Sequence, residues 1–428
     1  MNLVERWRRL VLFVRRQPRD IREGGWPVLI RKFLMTLDVI LAVPFVLAAR
    51  LLRPVVLIRF GGLPMQGIGH LASEMELVLC RRDAGLYGRT LDLFCVGMPV
   101  CNQQLTRMWQ RTVHVSRFAR AAERVNGWLP GGWRNRIPFD GPPSDTHGLL
   151  AMTTPHLTFL PAEQRQGAEA LRRLGVPEGQ PFVCFHARDS AYYVEKSRRK
   201  DLYLNSDIQT YRSAVEALAQ RGDVLFRMGA AVERPLVTHH PRIIDYASIA
   251  RTDFLDIFLP AHCRFYLGDG GGLHNVSLIF HRPIAIVNYI PFEYSVSWNP
   301  YDLFIPKKMW LRSEHRLMTF REILKSGAGR FLRDHQYAQM GIELINSTPE
   351  EITSLALEMD DRLNGTWQGT AEDEALQRRF WEIFRACTTV YASAPWRVHR
   401  RIGAEFLRQH QALLEESTTP QPTMVCAS

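Results

Sequence analysis

The sequence predicts an α/β fold built from two doubly wound, Rossmann-like domains. Short runs of β-forming residues alternate along the chain with segments of helical spacing, and glycines or polar residues follow several of these runs. Strands that alternate with helices form parallel sheets with right-handed crossovers. The 428 residues, 46% of them apolar, are enough for two domains and a set of closing helices.

The first 53 residues are predicted to form a basic, membrane-associating arm. Residues 1–60 contain 12 Lys and Arg but only 4 Asp and Glu, so they carry most of the net charge of +11. The apolar run at 33–49, interrupted by Asp38 and Pro44, fits an interfacial or re-entrant helix, a membrane span or a buried helix. A basic stretch with Trp7 precedes it and suits an anionic, cytoplasm-facing membrane surface. The balanced charge of the remaining chain argues against a nucleic-acid partner.

Residues 54–160 are predicted to form the first doubly wound domain. A strand at 54–58 leads into Gly67-Ile-Gly-His70 and a helix from Leu71, which is the opening unit of such a domain. A second strand is expected at 91–96, helical structure at 102–128 and a linker at 129–156.

The second domain is predicted at 161–345, and here the α/β alternation is clearer. A capping box at 206–209 predicts a helix to about Gln220, and Thr252 is a candidate cap for the next helix. Thr348-Pro-Glu-Glu351 predicts a helix start within the C-terminal helices of 346–416, and 417–428 is expected to be a disordered tail. Strands are predicted at 182–187, 223–228, 243–246, 264–268 and 284–288.

Polar groups and glycines follow four strands of this second domain, where open α/β sheets bind their ligands. Arginines offer planar donor forks for phosphate, and glycine amides before a helix can cradle an anion, so we expect a nucleotide diphosphate to bind without a metal or cofactor. Each feature also has a structural explanation as a salt bridge, tight turn or helix cap. The glycine run matches neither a P-loop nor G-x-G-x-x-G, which disfavours kinase and dehydrogenase chemistry. The candidate binding residues are His186, Arg188, Arg227, Gly229, Asp245, Tyr246, Asp269, Gly270, Gly271 and Gly272.

Three residues are candidates for the general base. Histidine side chains titrate near neutral pH, and His70 follows the glycine loop of the first domain, although the residues alone favour a helix-capping role for it over that of a base. Glu74 and Asp189 are the alternatives. The seven cysteines are scattered without a C-x-x-C pair, which predicts reduced thiols in the cytosol and no structural zinc site.

The segment 182–292, with the earlier Gly67-Ile-Gly-His70 loop, resembles a family of bacterial glycosyltransferases linked to surface polysaccharides. The motifs that carry the resemblance include His186-Ala-Arg-Asp-Ser190, Arg227-Met-Gly229, Asp245-Tyr246 and Gly268 to Leu273. More distantly, the H-x-R strand end and the late glycine turn are similar to the fucosyltransferase superfamily. That superfamily has the two-domain GT-B fold, inverts configuration and needs no metal. The resemblance implies that Arg188 contacts a donor diphosphate, but H-A-R-D stands where H-x-R-R is typical, so it does not imply a fucose donor.

We therefore predict a glycosyltransferase of the hexosyl or deoxyhexosyl type, peripheral at the inner face of the cell membrane. It would move a sugar from a nucleotide-sugar donor, bound by the second domain, to a glycan or lipid-linked acceptor over the first, in surface-polysaccharide synthesis. A non-catalytic nucleotide- or glycan-binding scaffold of an envelope assembly complex is the main alternative. A sulfo- or phosphoryl transferase is disfavoured because no P-loop-like motif is present.

Overall fold

The computed structural model describes residues 3–139, 145–191, 202–295, 297, 299–392 and 400–416. The side chains of residues 1–24, with most of the predicted basic stretch, and the predicted tail at 417–428 lie outside the described part. The chain divides into two compact units. Unit 1 comprises Met1–Leu63, Gly85–Pro99 and Val113–Pro138, and unit 2 comprises Pro64–Ala84, Val100–Thr112 and Phe139–Ser428. The continuous domain boundaries at 54, 161 and 346 stay a prediction.

The described strands are short and mostly buried. They are β1 (Leu57–Gly62), β2 (Thr90–Cys95), β3 (Phe182–His186), β4 (Val224–Arg227), β5 (Ile243–Ile244), β6 (Tyr266–Gly268), β7 (Ile284–Tyr289), β8 (Leu303–Pro306), β9 (Lys308–Leu311), β10 (Arg316–Leu317), β11 (Ile342–Ile345) and β12 (Arg401–Ile402).

The described helices range from one turn to the long N-terminal helix, which is interrupted at Gly25. They are α1 (Leu3–Leu51), α2 (Ile68–Asp83), α3 (Gln103–Thr112), α4 (Arg117–Trp128), α5 (Leu149–Met152), α6 (Pro161–Arg173), α7 (Arg212–Gln220), α8 (Tyr246–Ile249), α9 (Leu255–His262), α10 (His274–Ile279), α11 (Phe320–Lys325), α12 (Asp334–Gln339), α13 (Pro349–Asn364), α14 (Ala371–Cys387) and α15 (Ala404–Gln409).

Unit 2 is organised around a seven-stranded sheet in the order β12-β8-β7-β6-β3-β4-β5, with every neighbouring pair parallel. The inner strand β3 buries Phe182 to Phe185 completely or nearly so, as expected for a parallel strand covered on both faces. This sheet and its helices confirm the predicted α/β class. A second sheet, β10-β9-β11, is antiparallel and was not predicted, because its strands of two to four residues are too short for a periodic pattern.

Three helix predictions had different outcomes. Thr348 accepts a hydrogen bond from the Glu351 amide and begins α13, which confirms that start. The predicted helical segment at 102–128 is two helices, because the chain between α3 and α4 turns to place Val115 beside Phe94 of β2. The predicted cap at Ser206 was wrong: Asp207 accepts from the Gln209 amide, while the Ser206 hydroxyl donates to Asp269.

Unit 1 contains the parallel pair β1 and β2, with α4 packed beside them. The predicted strand at 54–58 begins later, at Leu57, and runs to Gly62. Arg59 lies inside this small sheet and forms a buried ion pair with Asp92, with 2.6 Å between Nε and Oδ1. Its guanidinium also stacks 4.0 Å from the centre of the Tyr87 ring. A charge buried this deeply is tolerated because both its hydrogen bonds and its counter-charge are supplied.

The C-terminal half of α1 packs along one face onto the rest of unit 1. Ala42, Val46 and Ala49 are buried there against residues of β1 and α4. Within the described residues, the stretch Gly25–Leu51 is long and apolar enough to cross a membrane by length and composition. Most of that stretch is nevertheless not buried against the protein. The six cysteines in the described ranges form no disulfide.

Candidate functional site

The site is built where the strand order of the large sheet reverses. From β3 the chain continues to β4 and β5 on one side, then returns to β6 and β7 on the other. His186, the last residue of β3, is the register partner of Gly268, the last residue of β6. The two segments singled out in the sequence therefore meet at the point where doubly wound sheets leave a crevice for ligands.

Asp269 holds this strand end together from inside. Its side chain is almost fully buried, and its Oδ2 accepts hydrogen bonds from the Arg188 amide and from Ser206 Oγ, the latter at 2.7 Å. Its Oδ1 lies 3.5 Å from His186 Nδ1. Burial acts to raise the pKa of Asp269, but His186 and these donors lower it below its ordinary value. Asp269 is thus an ionised, positioning carboxylate.

The glycine turn, Gly270–Gly272, follows β6 and contacts the start of α2. A Cβ placed on Gly69 would lie 2.7 Å from Gly272 Cα and 2.8 Å from Asn275 Nδ2. The two backbones approach so closely that only glycine fits, so the motif Gly67-Ile-Gly-His70 is a packing motif as well as a loop. In the described part of the chain, the Gly271 amide donates to the Asp269 carbonyl, whereas the amides of Gly270 and Gly272 have no protein acceptor.

His70 and Glu74 lie on the first turns of α2, the part of the helix that contacts the glycine turn. The two side chains are four residues apart, and His70 Nδ1 lies 2.6 Å from Glu74 Oε1. A carboxylate on Nδ1 favours the tautomer in which Nε2 carries the lone pair, and it stabilises the imidazolium that forms on protonation. About half of the His70 side chain is exposed, so this histidine is accessible to a substrate.

A single cavity of about 1190 Å³ brings most of the predicted residues together within unit 2. Its lining includes glycine backbone, cationic residues and the His70–Glu74 pair. A bound anion would therefore lie in the same cavity as a side chain that can accept a proton. The predicted residues that line it are His70, Glu74, His186, Arg188, Asp189, Gly229, Gly270, Gly271 and Gly272.

Asp189, an alternative candidate for the general base, is hydrogen-bonded to backbone amides. One carboxylate oxygen accepts from the Ala191 amide at 2.9 Å and the other from the Glu233 amide at 2.8 Å. Its hydrogen bonds therefore stabilise the loop after β3.

Four predicted residues lie outside the cavity lining. Arg227 is 1% exposed and donates to Asp245 Oδ2 at 3.0 Å and to the Arg234 carbonyl at 2.6 Å. Asp245 also accepts from the Leu236 amide. Tyr246 is fully buried, with its hydroxyl 3.0 Å from Asp256 Oδ1. Asp269 is the buried carboxylate that accepts from the Arg188 amide and Ser206. Their polar atoms mainly organise the loops after β4 and β5.

Arg400, His274 and Asp302 are among the lining residues that were not found from the sequence. Arg400 is 5% exposed, lies 4.8 Å from the centre of the Tyr289 ring and donates to the Ser295 carbonyl. Burial and the charge of Arg400 lower the pKa of His274 to about 4, so its imidazole is neutral at pH 7. Burial raises the pKa of Asp302 to about 6, against the effect of Arg400. No local motif marks Arg400, which comes from more than 200 residues after β3.

Lys307 is a further buried cation near the strand end. Its Nζ donates to the Asn205 carbonyl at 2.8 Å, and only 4% of the residue is exposed. Burial lowers its pKa to about 8, with Asp269 opposing and Arg188 reinforcing that shift. Lys307 and Arg188 therefore lie close enough for their charges to interact, with Asp269 as a shared counter-charge.

A group on the other side of α2 has ligand atoms suited to a metal ion. Oxygen, sulfur and nitrogen atoms of Glu76, Cys80 and His156 lie within 4.8 Å of one another. His156 already pairs with Glu76 and Asp83, at 2.9 Å each. Hydrogen bonds with Cys80 and Glu76 raise the pKa of His156 to about 10, which favours the imidazolium, a form that cannot ligate metal.

No protein-family model matches the chain, and no curated protein sequence matches it significantly. Among solved structures, a glycosyl transferase family 9 protein from Veillonella parvula aligns with a TM-score of 0.41 and 8% identity, over 71% of this chain and 97% of that one. The ADP-heptose lipopolysaccharide heptosyltransferase II of E. coli aligns with a TM-score of 0.33 and 13% identity, over 54% and 84%. The E. coli heptosyltransferase WaaC with ADP aligns with a TM-score of 0.27 and 12% identity, over 58% and 91%. None of these three is a fucosyltransferase, so that finer resemblance stays a prediction.

Proposed function

We propose that this chain is a glycosyltransferase that uses a nucleotide-diphosphate sugar and a glycan or lipid-linked acceptor in surface-polysaccharide synthesis. The observation that carries the proposal is one cavity, at the switch point of a parallel sheet, that combines an anion-binding wall with a histidine–carboxylate pair. Sugar transfer from a diphosphate needs both functions: charge stabilisation on the leaving group and a base for the acceptor hydroxyl.

The donor diphosphate is assigned to the end of β3 and the glycine turn. Arg188 lines the cavity and is assigned as the cation that meets the diphosphate, and the amides of Gly270 and Gly272 supply uncharged donors. Arg400 lines the same cavity and adds a second cation. Arg227 and Asp245 are not assigned to the donor, because their hydrogen bonds are made to each other and to neighbouring backbone.

His70 is assigned as the general base of a direct displacement. The acceptor oxygen attacks the anomeric carbon while the bond from that carbon to the diphosphate oxygen breaks on the opposite face, which inverts the configuration. The acceptor proton passes to His70 Nε2, and Glu74 stabilises the resulting imidazolium through Nδ1–H. The charge that develops on the diphosphate is held by Arg188 and the glycine amides, so no metal is needed for this step.

Attachment to the inner face of the cell membrane is part of the proposal. The apolar helix Gly25–Leu51 leaves most of its surface uncovered by the protein. A lipid-linked acceptor is confined to that surface, so an enzyme held there meets it at high effective concentration.

The donor site is tested by thermal unfolding with UDP-, GDP-, ADP-, CMP- and dTDP-sugars. A ligand at 100 times its Kd stabilises the folded state by about 2.7 kcal/mol, so a true donor raises the midpoint clearly. We expect Arg188→Ala to abolish the shift. Arg173→Ala, at an exposed position of α6, is the matched control and should keep it. An unchanged shift in Arg188→Ala contradicts the donor assignment.

The catalytic assignment is tested by slow donor hydrolysis, which releases the nucleoside diphosphate. His70→Ala should retain the donor-induced shift but lose at least 100-fold in rate, the lower range of general-base contributions. Glu74→Gln keeps the hydrogen bond but removes the charge and should lose less. A wild-type chain that binds nucleotide sugars, yet neither hydrolyses nor transfers them, would instead be the non-catalytic scaffold.

A further inference from the structure

The part of α1 that follows Gly25 has two opposite faces. The docked face carries Ala42, Val46 and Ala49, which are buried in unit 1. The opposite face is a stripe of exposed apolar side chains at helical spacing, which we call the α1 stripe. Its members are Trp26, Ile30, Phe33, Leu37, Ile40, Leu47 and Leu51, all at least 40% exposed. The stripe is roughly 38 Å long at 1.5 Å per residue, too large to be a scatter of surface residues.

The helix is fastened to unit 1 along the docked face. Asp38 pairs with Arg117 at 3.1 Å, and near the other end Arg50 donates to the Pro130 carbonyl at 2.9 Å and to Asn126 Oδ1 at 3.0 Å. An upright membrane span would carry polar α4 into the hydrocarbon, where charged side chains are costly. A helix that lies flat, with only the α1 stripe immersed, avoids that cost.

A groove of about 620 Å³ in unit 1 is lined in part by Asn126, to which Arg50 in the last turn of α1 donates a hydrogen bond. We call it the arginine groove, and its charged lining residues are Arg120, Arg124, Arg136 and Glu123. Trp128 and Trp133 form its rim and are 64% and 73% exposed. Within the described chain, no carboxylate pairs with Arg124 or Arg136. Exposed tryptophans beside unpaired arginines are the composition of a membrane interface, where indole rings lie among lipid headgroups and arginines meet lipid phosphates.

We infer that unit 1 binds an anionic phospholipid bilayer through one continuous surface, in which the α1 stripe enters the acyl region and the arginine groove takes a lipid phosphate. Arg50 links the two parts, because it belongs to α1 and contacts Asn126, Leu129 and Pro130 beside the groove. The net charge of +2 on the groove lining complements an anionic headgroup. The inference extends the membrane attachment within the proposed function, but it requires no sugar transfer.

The test is co-sedimentation of the full chain with phosphatidylcholine vesicles, with and without phosphatidylglycerol, in the absence of donor. Each arginine near an anionic surface contributes about 1 kcal/mol, so Arg124→Gln/Arg136→Gln should bind the anionic vesicles roughly 30-fold more weakly. Trp128→Ser/Trp133→Ser should weaken binding to both vesicle types. Arg172→Gln/Arg173→Gln, at exposed positions of α6, is the charge-matched control and should bind like the wild type.

Two results would overturn the inference. One is unchanged binding of Arg124→Gln/Arg136→Gln to anionic vesicles. The other is displacement from vesicles by inorganic phosphate at the concentration of lipid headgroups, which would identify a site for free phosphate. Thermal unfolding of each variant confirms that it is folded, and the arginine pair decides the question if the tryptophan pair is unstable. Arg188→Ala in the same assay should bind vesicles normally, so failure of the donor assignment remains separate from failure of this one.

Discussion

Gly69→Ala tests the contact on which the site depends. Position 69 lies in the first turn of α2, where replacing glycine by alanine ordinarily favours the helix by up to about 1 kcal/mol. The new Cβ would lie 2.7 Å from Gly272 Cα and 2.9 Å from the Gly272 carbonyl oxygen, whereas ordinary contacts begin at 3.4 Å. The glycine turn and α2 must therefore separate by roughly 0.7 Å, since both neighbours are backbone and cannot rotate away.

The expected effects follow from that separation. Overpacking destabilises the folded state by about 1–3 kcal/mol, and the higher helix propensity of alanine offsets about 1 kcal/mol of this. The free energy of unfolding therefore falls by up to about 2 kcal/mol. Because His70 moves relative to the amides of Gly270 and Gly272, donor hydrolysis should fall by about 100-fold, the effect of a 1 Å misplacement of reacting groups. Urea unfolding and donor hydrolysis measure the two effects.

A matched control separates the contact from the substitution. Gly127 lies in α4, and a Cβ there meets nothing within 4 Å. Gly127→Ala should therefore keep or slightly raise stability, and it should leave donor hydrolysis unchanged. If Gly69→Ala were as stable and as active as Gly127→Ala, α2 would not be held against the glycine turn, and His70 would lose its assigned place beside the donor.

Three further predictions concern other parts of the molecule. The pKa of His156 is raised to about 10, against 6.5 in the unfolded chain, so its protonation stabilises the folded state below pH 6.5 and this stabilisation is lost as the pH rises towards 10. Urea unfolding across that range should show the free energy of unfolding falling with pH in the wild type and falling less steeply in His156→Gln. Asp269→Asn removes charge-assisted hydrogen bonds worth about 1.5–3 kcal/mol, so it should lower the free energy of unfolding and weaken the donor-induced thermal shift; equal shifts would contradict its positioning role. Val46→Ala on the docked face of α1 should cost about 1–3 kcal/mol by thermal unfolding, whereas Val43→Ala, 41% exposed, should change stability by less than 0.5 kcal/mol, and equal effects would mean that α1 is not docked.

The sequence was most informative where local pattern and local structure coincide. The apolar run Phe182 to Phe185 predicts a buried parallel strand. The polar residues that follow it in the chain must lie at the carboxyl end of that strand, where such sheets bind ligands. Thr348, Pro349 and Glu351 form a complete cap within four residues, so α13 could be predicted to its first residue. The glycines after β6 were recognised as a turn for the same reason.

The sequence was least informative where a side chain had two available partners. Arg227 and Arg188 both stand at the ends of buried strands, and nothing in either motif indicates which of them lines the cavity. The structure distinguishes them: the Arg227 guanidinium donates to the Arg234 carbonyl and to Asp245 outside the cavity lining, whereas Arg188 lines the cavity. Arg400 illustrates the same limit, because its place depends on the pairing of β12 with β8.

The role of Gly69 shows how a tertiary contact gives a short motif its meaning. In the sequence, Gly67-Ile-Gly-His70 indicates a glycine loop before a helix, and the residues alone favour His70 as a helix cap over a general base. The close approach of Gly69 to Gly272 leaves no room for a Cβ at position 69, and it fixes the first turn of α2 against the turn assigned to the diphosphate. Once α2 is fixed there, the four-residue spacing of His70 and Glu74 orients the imidazole. A helix cap would require neither the contact nor the carboxylate, so the base assignment and the packing of Gly69 must be tested together.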